Sequence, residues 1–247
     1  ISLSYLCLDS HHTTTIMHII RLPETDSTNE ELRRINEKTT LPDFTIVITD
    51  HQTAGRGQIG NKWHSEPKQN VLMSILLRNK QLDIHNQFFL SMIVALAVKK
   101  AIGKYIDNVK IKWPNDIYVD NKKIAGILIE NKVRGKVIYE TIAGIGINVD
   151  QVQFDSSIPN PTSVRLITGS EMPITNILNE LVLLMPRGVD LISNERWSDI
   201  KALYMNDLYR YDGKYYRFKD SNGEFEAILT DIAPDGQLIL TDKNGTR

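Results

Sequence analysis

The chain has 247 residues, which at ~150 residues per domain gives one to two domains. Lys and Arg total 29 against 30 Asp and Glu, for a formal charge of −1, with 41% apolar and 24% charged residues. That balance excludes a disordered chain, a collagen and a coiled coil, and leaves no basic excess with which to neutralise nucleic-acid phosphates. The single cysteine, Cys7, excludes an internal disulfide framework or a cysteine-based zinc site within one chain. It suits a reducing, cytoplasmic setting. The longest apolar run, within Phe88 to Val98 and broken by Ser91, falls short of the ~20 residues that span a membrane, so it reads as a buried helix and no membrane partner is expected.

In chain order, residues 1–16 mix polar and apolar positions without a basic start, so they resemble no signal peptide. They read as an extension, poorly ordered or upstream, ahead of a cleaner pattern that begins at Met17. Ser27 followed by Glu30 has the form of a capping box, with the Ser oxygen on an orphan amide and the Glu reaching back. A helix therefore starts near Ser27, with Leu32 and Ile35 on its apolar face. Its first amides and the Ser27 and Thr28 hydroxyls are also placed to hold a polar ligand, although a plain helix cap accounts for the same residues. Phe44–Thr49 and Val71–Leu77 read as buried strands, rich in β-branched residues. The long polar stretch between them exceeds ~12–15 residues, a length usually kept for function or disorder.

His85–Tyr105 reads as a core helix packed on a sheet. Val109–Lys112 and Ile117–Val119 are strand segments around Trp113-Pro114-Asn115-Asp116. Asp120-Asn121-Lys122 turns the chain into a returning strand, Ile124–Glu130. Val137–Val149 is a further strand with glycines at 144 and 146. Helical patterns follow within Ile174–Met185, where Pro186 and Gly188 break them, and around Asp199–Met205. From Leu208 to Thr241, short strands separated by Asp212-Gly213, Asn222-Gly223 and Asp235-Gly236 suggest a small β-barrel. It is too short to bury much core alone and should lean on the larger domain.

Gly55-Arg56-Gly57-Gln58-Ile59-Gly60 matches G-x-G-x-x-G, but a dinucleotide site requires a helix directly afterwards. A strand follows instead, and no Gly-Lys-Ser/Thr completes a Walker loop. What remains is a glycine loop with cationic Arg56 and Lys62, flanked by Gln52 and Trp63. Its amides can approach an anion, Arg56 can grip a phosphate or carboxylate with two bonds, and Trp63 can cover an apolar group. A solvated turn with one core-facing Trp is the plainer alternative. In the second cluster a hairpin brings Asn115 and Asp116 near Lys123. An ion pair of this kind is commonly structural; beside a glycine loop it suits phosphate and Mg²⁺, with Asp116 as the hard oxygen ligand. Gly144 and Gly146 mark either close approach by a ligand or tight packing.

Ser27-Thr28-Asn29, Gln52-Thr53-Ala54-Gly55-Arg56-Gly57, Lys112-Trp113-Pro114-Asn115-Asp116, Lys123-Ile124-Ala125-Gly126 and Gly144-Ile145-Gly146-Ile147-Asn148 occur in one order at matching spacing. In this the sequence resembles the biotin protein ligases, from Met17 to about Thr241. The resemblance implies an α+β fold, in which a mixed sheet packed with helices (17–205) is followed by a small SH3-like domain (206–247). The turn signal at Asp242-Lys243-Asn244-Gly245 suggests that the last strand of the small domain is cut short. It implies adenylation of biotin by Mg·ATP and transfer of the biotinyl group to a lysine of a biotin carboxyl carrier protein. A lipoate or octanoate enzyme of related fold is the nearest alternative.

The resemblance also assigns roles. Lys123 and Arg56 would be catalytic. Ser27, Thr28, Gln52, Gly55, Arg56, Gly57, Lys123, Gly126, Gly144 and Gly146 would hold biotin. Arg56, Gln58, Trp63, Lys112, Asn115, Asp116, Lys123 and Asn148 would hold ATP or the adenylate, with Asp116 toward Mg²⁺. Gln58 departs from the Arg that many members carry there, which implies a less basic loop. Only residues 1–16 precede the match, so a DNA-binding helix-turn-helix is not expected. Sheet edges leave a homodimer open.

Overall fold

The computed structural model describes residues 2–8 and 14–246. Strands β1 (Ser2–Leu8) and β2 (Thr14–Leu22) pair antiparallel. Helix α1 (Thr28–Lys38) then crosses to β3 (Thr45–Thr49), which runs parallel to β2. After the long loop come β4 (Asn70–Asp83) and α2 (Phe88–Ile102). Next are β5 (Val109–Lys112), β6 (Asp116–Val119), β7 (Lys122–Arg134) and β8 (Val137–Asn148). These strands form one eight-stranded mixed sheet in the order β1-β2-β3-β4-β8-β7-β6-β5, so the fold class matches the expectation. Part of the 1–16 segment thus forms the sheet's edge; its residues 1 and 9–13 lie outside the described residues.

Alternation along the central strands assigns each face. Val71, Met73, Ile75 and Leu77 of β4, with Ala143, Ile145 and Ile147 of β8, enter the large core beneath α2. Leu76 and Ile142 point to the other face and pack with Leu32 of α1 and Val47 of β3. By the same period of two, Ser74, Gly126, Leu128, Glu130, Gly144, Gly146 and Asn148 share the α1 face. Beside the first turn of α1 that face carries glycines instead of apolar side chains, and the site lies there.

The large core is closed by α3 (Val164–Thr168), α4 (Ile174–Ser193) and α5 (Trp197–Asn206). The predicted break at Pro186 and Gly188 does not occur. Helix α4 runs through both to Ser193, with Pro186 buried. A proline inside a helix costs about 3 kcal/mol. Burial of Ile177, Leu178, Leu181, Leu184 and Met185 offsets it. Gly188 sits tight against α2, since a Cβ there would lie 3.0 Å from Ile93. The expected His85–Tyr105 helix begins later, because Asp83 accepts from the His85 amide at 2.8 Å and closes a 3₁₀ turn over Ile84–Asn86 first.

β9 (Tyr216–Asp220), β10 (Gly223–Ile232), β11 (Leu238–Asp242) and β12 (Gly245–Thr246) form a separate antiparallel sheet. Asn222-Gly223 and Asp235-Gly236 are its turns, whereas Asp212-Gly213 precedes β9. The small sheet does lean on the larger unit. Ala227, Leu229, Ile232 and Leu240 join the large core, Trp113 Nε1 donates to the Gly236 carbonyl at 2.7 Å, and Lys201 pairs with Asp231 at 2.7 Å. Gly236 has φ +96 and lies so near Phe88 that a Cβ would fall 2.5 Å from its ring. Among the described residues no helix is long and apolar enough to cross a membrane.

Candidate active site

At the start of α1 the capping box does not form. Ser27 makes no side-chain cap bond, its amide donates instead to Asp26 at 2.7 Å, and Glu30 is drawn to Arg33 and Arg56. The Arg34 guanidinium in turn holds the Asp26 carboxyl far below the usual range. The orphan Thr28 amide donates to Gln52 Oε1, just past β3, at 2.8 Å. A buried polar chain continues from there. Ser74 Oγ lies 2.7 Å from Thr28 Oγ1 and 2.5 Å from Asn29 Oδ1, and Asn29 Nδ2 donates to Glu130 at 2.6 Å. Gln52 Oε1 also accepts from Thr28 Oγ1 at 3.2 Å. Ser27 joins Thr28, Asn29 and Gln52 in the wall of an inner pocket of about 70 Å³.

The long loop is a small hairpin. Trp63 N donates to Gly55 O at 2.9 Å and Gly57 N to Asn61 O at 2.7 Å, with a 3₁₀ turn at Gln58–Gly60. At its tip Ile59 is 99% exposed and sits at φ +52, a conformation costly for a β-branched side chain. Gln58 shares that tip and lines neither cavity described here. Gly55 allows the hairpin to close: a Cβ there would fall 2.5 Å from the Trp63 carbonyl. Arg56 is held by Glu30 at 2.6 Å and Glu130 at 3.3 Å.

The hairpin lays the Trp63 indole on the glycine floor. A Cβ on Gly146 would come within 2.5 Å of the ring, and one on Gly126 within 2.9 Å. Gly144 receives the Asn29 amide, 2.4 Å from where its Cβ would be. Lys123 Nζ lies 5.7 Å from the Trp63 ring centroid and 2.6 Å from Asp116 Oδ1. Beyond the indole a cleft of about 600 Å³ opens, lined by Lys62, Lys112, Asp116, Tyr118, Asn148 and Phe154 among others. Lys123 and Trp63 line both cavities.

Lys112 reaches over the Tyr118 ring at 4.9 Å. Burial, reinforced by the Asp116 charge, raises the Tyr118 pKa and keeps its phenol protonated. Asn115 and Asn148 are partly structural here. Asn115 Nδ2 donates to Ile127 O at 2.7 Å, and Asn148 Nδ2 to Thr162 O at 2.9 Å. Among the described residues no three His, Cys, Asp or Glu side chains gather into a metal site. Asp116 is a lone carboxylate already facing a lysine, which suits an ion carried mainly by a ligand's phosphates.

Sequence reasoning missed Asn29, Ser74, Glu130, Tyr118 and Phe154 as site residues. Ser74 is the polar residue within the apolar Val71–Leu77 run. Glu130 stands two period-two steps beyond Gly126, so alternation alone would have put both on the pocket face.

A glycine-floored inner pocket is thus joined through Lys123 to a larger cleft on one face of a mixed sheet. The chain belongs to the biotin/lipoate A/B protein ligase family, whose model matches residues 21–148. It is 30% identical over 230 residues to the bifunctional ligase/repressor BirA of Bacillus subtilis, covering 92% of this chain and 69% of that protein. It is 28% identical over 231 residues to the biotin–[acetyl-CoA-carboxylase] ligase of Paracoccus denitrificans, covering 91% and 94%. Among solved structures, it resembles the biotin protein ligase from Aquifex aeolicus in complex with biotin and ATP, at TM-score 0.78 and 26% identity over 93% of this chain and 94% of that one.

Proposed function

We propose that this chain is an ATP-dependent biotin–[biotin carboxyl carrier protein] ligase. The observation that carries the reading is the junction. Lys123 lines both the inner pocket and the outer cleft, so one cation reaches an acid in the first and an α-phosphate in the second. In the first half-reaction a biotin carboxylate oxygen attacks the α-phosphorus of Mg·ATP. A P–O bond forms to the acid, the bond to pyrophosphate breaks, and biotinyl-5′-AMP results. In the second, the ε-amine of a carrier lysine attacks the acyl carbon, loses a proton and expels AMP. No covalent enzyme intermediate is required.

Lys123 lowers the barrier by facing the charge that builds on the acid and phosphate oxygens. Arg56 exchanges Glu30 and Glu130 for the ligand's anionic oxygens. Ser27, Thr28 and the Gln52 NH₂ bind the ureido edge, over a floor of Gly126, Gly144 and Gly146. Lys112, Asn115, Asp116 and Asn148 serve the nucleotide side, Asp116 beside the Mg²⁺ that ATP carries, with Trp63 and the Gly55–Gly57 segment closing over the product. The division into a catalytic unit over 17–205 and a carrier-presenting unit over 206–247, with 1–16 ahead of both, is supported by the two separate sheets. The lone cysteine favours a reducing cytoplasm, and the β1 edge offers a place for a homodimer partner.

The test is incubation with biotin, Mg·ATP and a carrier domain, read by biotin incorporation and pyrophosphate release. Incorporation that Lys123→Ala abolishes supports the reading. Stabilisation and transfer with lipoate but not biotin would replace it with the lipoate alternative.

A further inference from the structure

Past the end of α5 the chain runs along the outer edge of β5. Ile111 N donates to Asp207 O at 2.9 Å, and Tyr209 N to Ile111 O at 2.8 Å. These bonds fix the Tyr209 backbone, and its hydroxyl donates to Asn121 Oδ1 in the turn between β6 and β7. The Tyr209 ring then lies 5.7 Å from the Tyr118 ring, centroid to centroid. The Arg210 guanidinium adds a further contact, 5.1 Å from the Tyr209 ring and 4.7 Å from that of Tyr216, which opens β9. Tyr118 stands opposite Lys110 in the β5–β6 ladder and diagonal to Lys112, a spacing that long side chains bridge. The Lys112 ammonium accordingly rests 4.9 Å from the Tyr118 ring centroid. Among the described residues Lys112 has no ion pair, the neighbouring Asp116 being taken by Lys123. Lys112 and Tyr118 line the outer cleft, and Tyr209 stands behind them.

We propose that Tyr209 is a positioning residue for the nucleotide side of the reaction. It fixes the Tyr118 ring, and the face of that ring fixes the Lys112 ammonium for the phosphates. A lysine is a point charge on a flexible stem, so it needs a seat to be aimed. A carboxylate seat would neutralise the charge and compete with the phosphate. A ring face attracts the cation through its quadrupole and leaves the charge available to a ligand. One ring alone turns easily about its terminal torsion. Tyr209, held at its backbone and at its hydroxyl, keeps Tyr118 from turning away. This inference rests on the biotin-ligase reading, in which Lys112 serves ATP.

The experiment measures pyrophosphate release on the full chain at varied ATP and at varied biotin. The variants are Tyr209→Ala, Tyr209→Leu, Tyr209→Phe, Lys112→Met, and Tyr209→Leu combined with Lys112→Met. Loss of a half-exposed cation–π seat weakens binding by about two- to fivefold. Tyr209→Ala should raise KM for ATP by that factor and leave kcat and KM for biotin unchanged. Tyr209→Leu, which keeps apolar bulk and so protects the fold, should do the same. Tyr209→Phe keeps the ring and should behave as wild type. In the Lys112→Met background, Tyr209→Leu should change nothing further. The Lys112 ε-methylene resonance, assigned by its loss in Lys112→Met, reports the seat directly. The Tyr118 ring current should shift it upfield in wild type and Tyr209→Phe, and the shift should shrink in Tyr209→Leu. The positioning role is overturned, with the ligase reading intact, by any of four results for Tyr209→Leu: an unchanged KM for ATP, a loss shared by kcat and KM for biotin, an equal rise in the Lys112→Met background, or an unmoved resonance. Absence of biotin-dependent pyrophosphate release in wild type overturns both.

Discussion

Replacement of Lys123 by glutamine isolates the charge at the junction of the two cavities. Its Nζ lies 2.6 Å from Asp116 Oδ1, with the two side chains 30% and 16% exposed. A unit charge ~4 Å from the oxygens of a developing transition state, at an effective dielectric of ~20, contributes ~4 kcal/mol. That corresponds to a loss of about 10³-fold in rate. The same substitution leaves the Asp116 carboxylate unpaired in a half-buried position and so lowers stability as well. Lys123→Gln combined with Asp116→Asn separates the two effects: the double variant should regain melting temperature without regaining rate. Single-turnover pyrophosphate release, measured well below the melting temperature of every variant, gives the chemical step. A loss of less than tenfold in Lys123→Gln, or recovery of rate in the double variant, would refute the assignment of transition-state charge stabilisation to Lys123.

Gly144→Ala would put a Cβ 2.4 Å from Asn29 Oδ1; it should cost about 1–3 kcal/mol in stability and weaken biotin binding, both readable by thermal shift with and without ligand. Glu140 is 4% exposed and meets Arg78 at 2.9 Å and Lys132 at 3.0 Å; burial pushes its pKa up, but the bonds from Lys132 and Asn36 and the cations outweigh it, so the folded-state value is lowered. The ionised side chain therefore stabilises the fold above its unfolded pKa of ~4.3, and this contribution fades as pH falls through the lower folded value. Glu140→Gln should cost about 2 kcal/mol at neutral pH, and its difference from wild type should shrink in melts taken from pH 5 downward. Gln58→Arg restores a cation to the hairpin and should slow biotinyl-AMP release about fivefold, the effect of ~1 kcal/mol for an exposed charge, as followed by filter binding. Trp113→Phe deletes the bond to Gly236 and should cost ~1 kcal/mol, a fall of ~2–4 °C in melting temperature.

What could be read in advance was whatever local chemistry dictates. β5 begins and ends where the alternating Val109–Lys112 run says it should. Gly126, Gly144 and Gly146 meet on one face because strand alternation requires it. Side chains that answer to distant partners were not legible. Ser27 and Glu30 have the spacing of a capping box, yet Glu30 is claimed by Arg56 from the hairpin, a contact no local pattern encodes. Pro186 is a helix breaker in isolation, but the apolar stripe of α4 against α2 outweighs it. The glycines and donors of the hairpin were legible, and Arg56, Gly57 and Trp63 do meet Ser27, Thr28 and Lys123 around one pocket. The resting place of Trp63 was not, because it depends on the absence of side chains on two strands far along the chain.

The place of β8 in the strand order has a consequence for how the pocket keeps its shape. It lies between β4 and β7, with backbone ladders on both sides. A strand at that position opens only in the rarest, near-global fluctuations. Gly144 and Gly146 therefore form a mould cast in the stiffest part of the molecule, while the parts that exchange hang from the loop above it. Hydrogen exchange should run slowest under the ligand and fastest over it. Selection for a different acid would have to recut the mould as well as the loop, because Arg56, Gly57 and Trp63 line the same pocket.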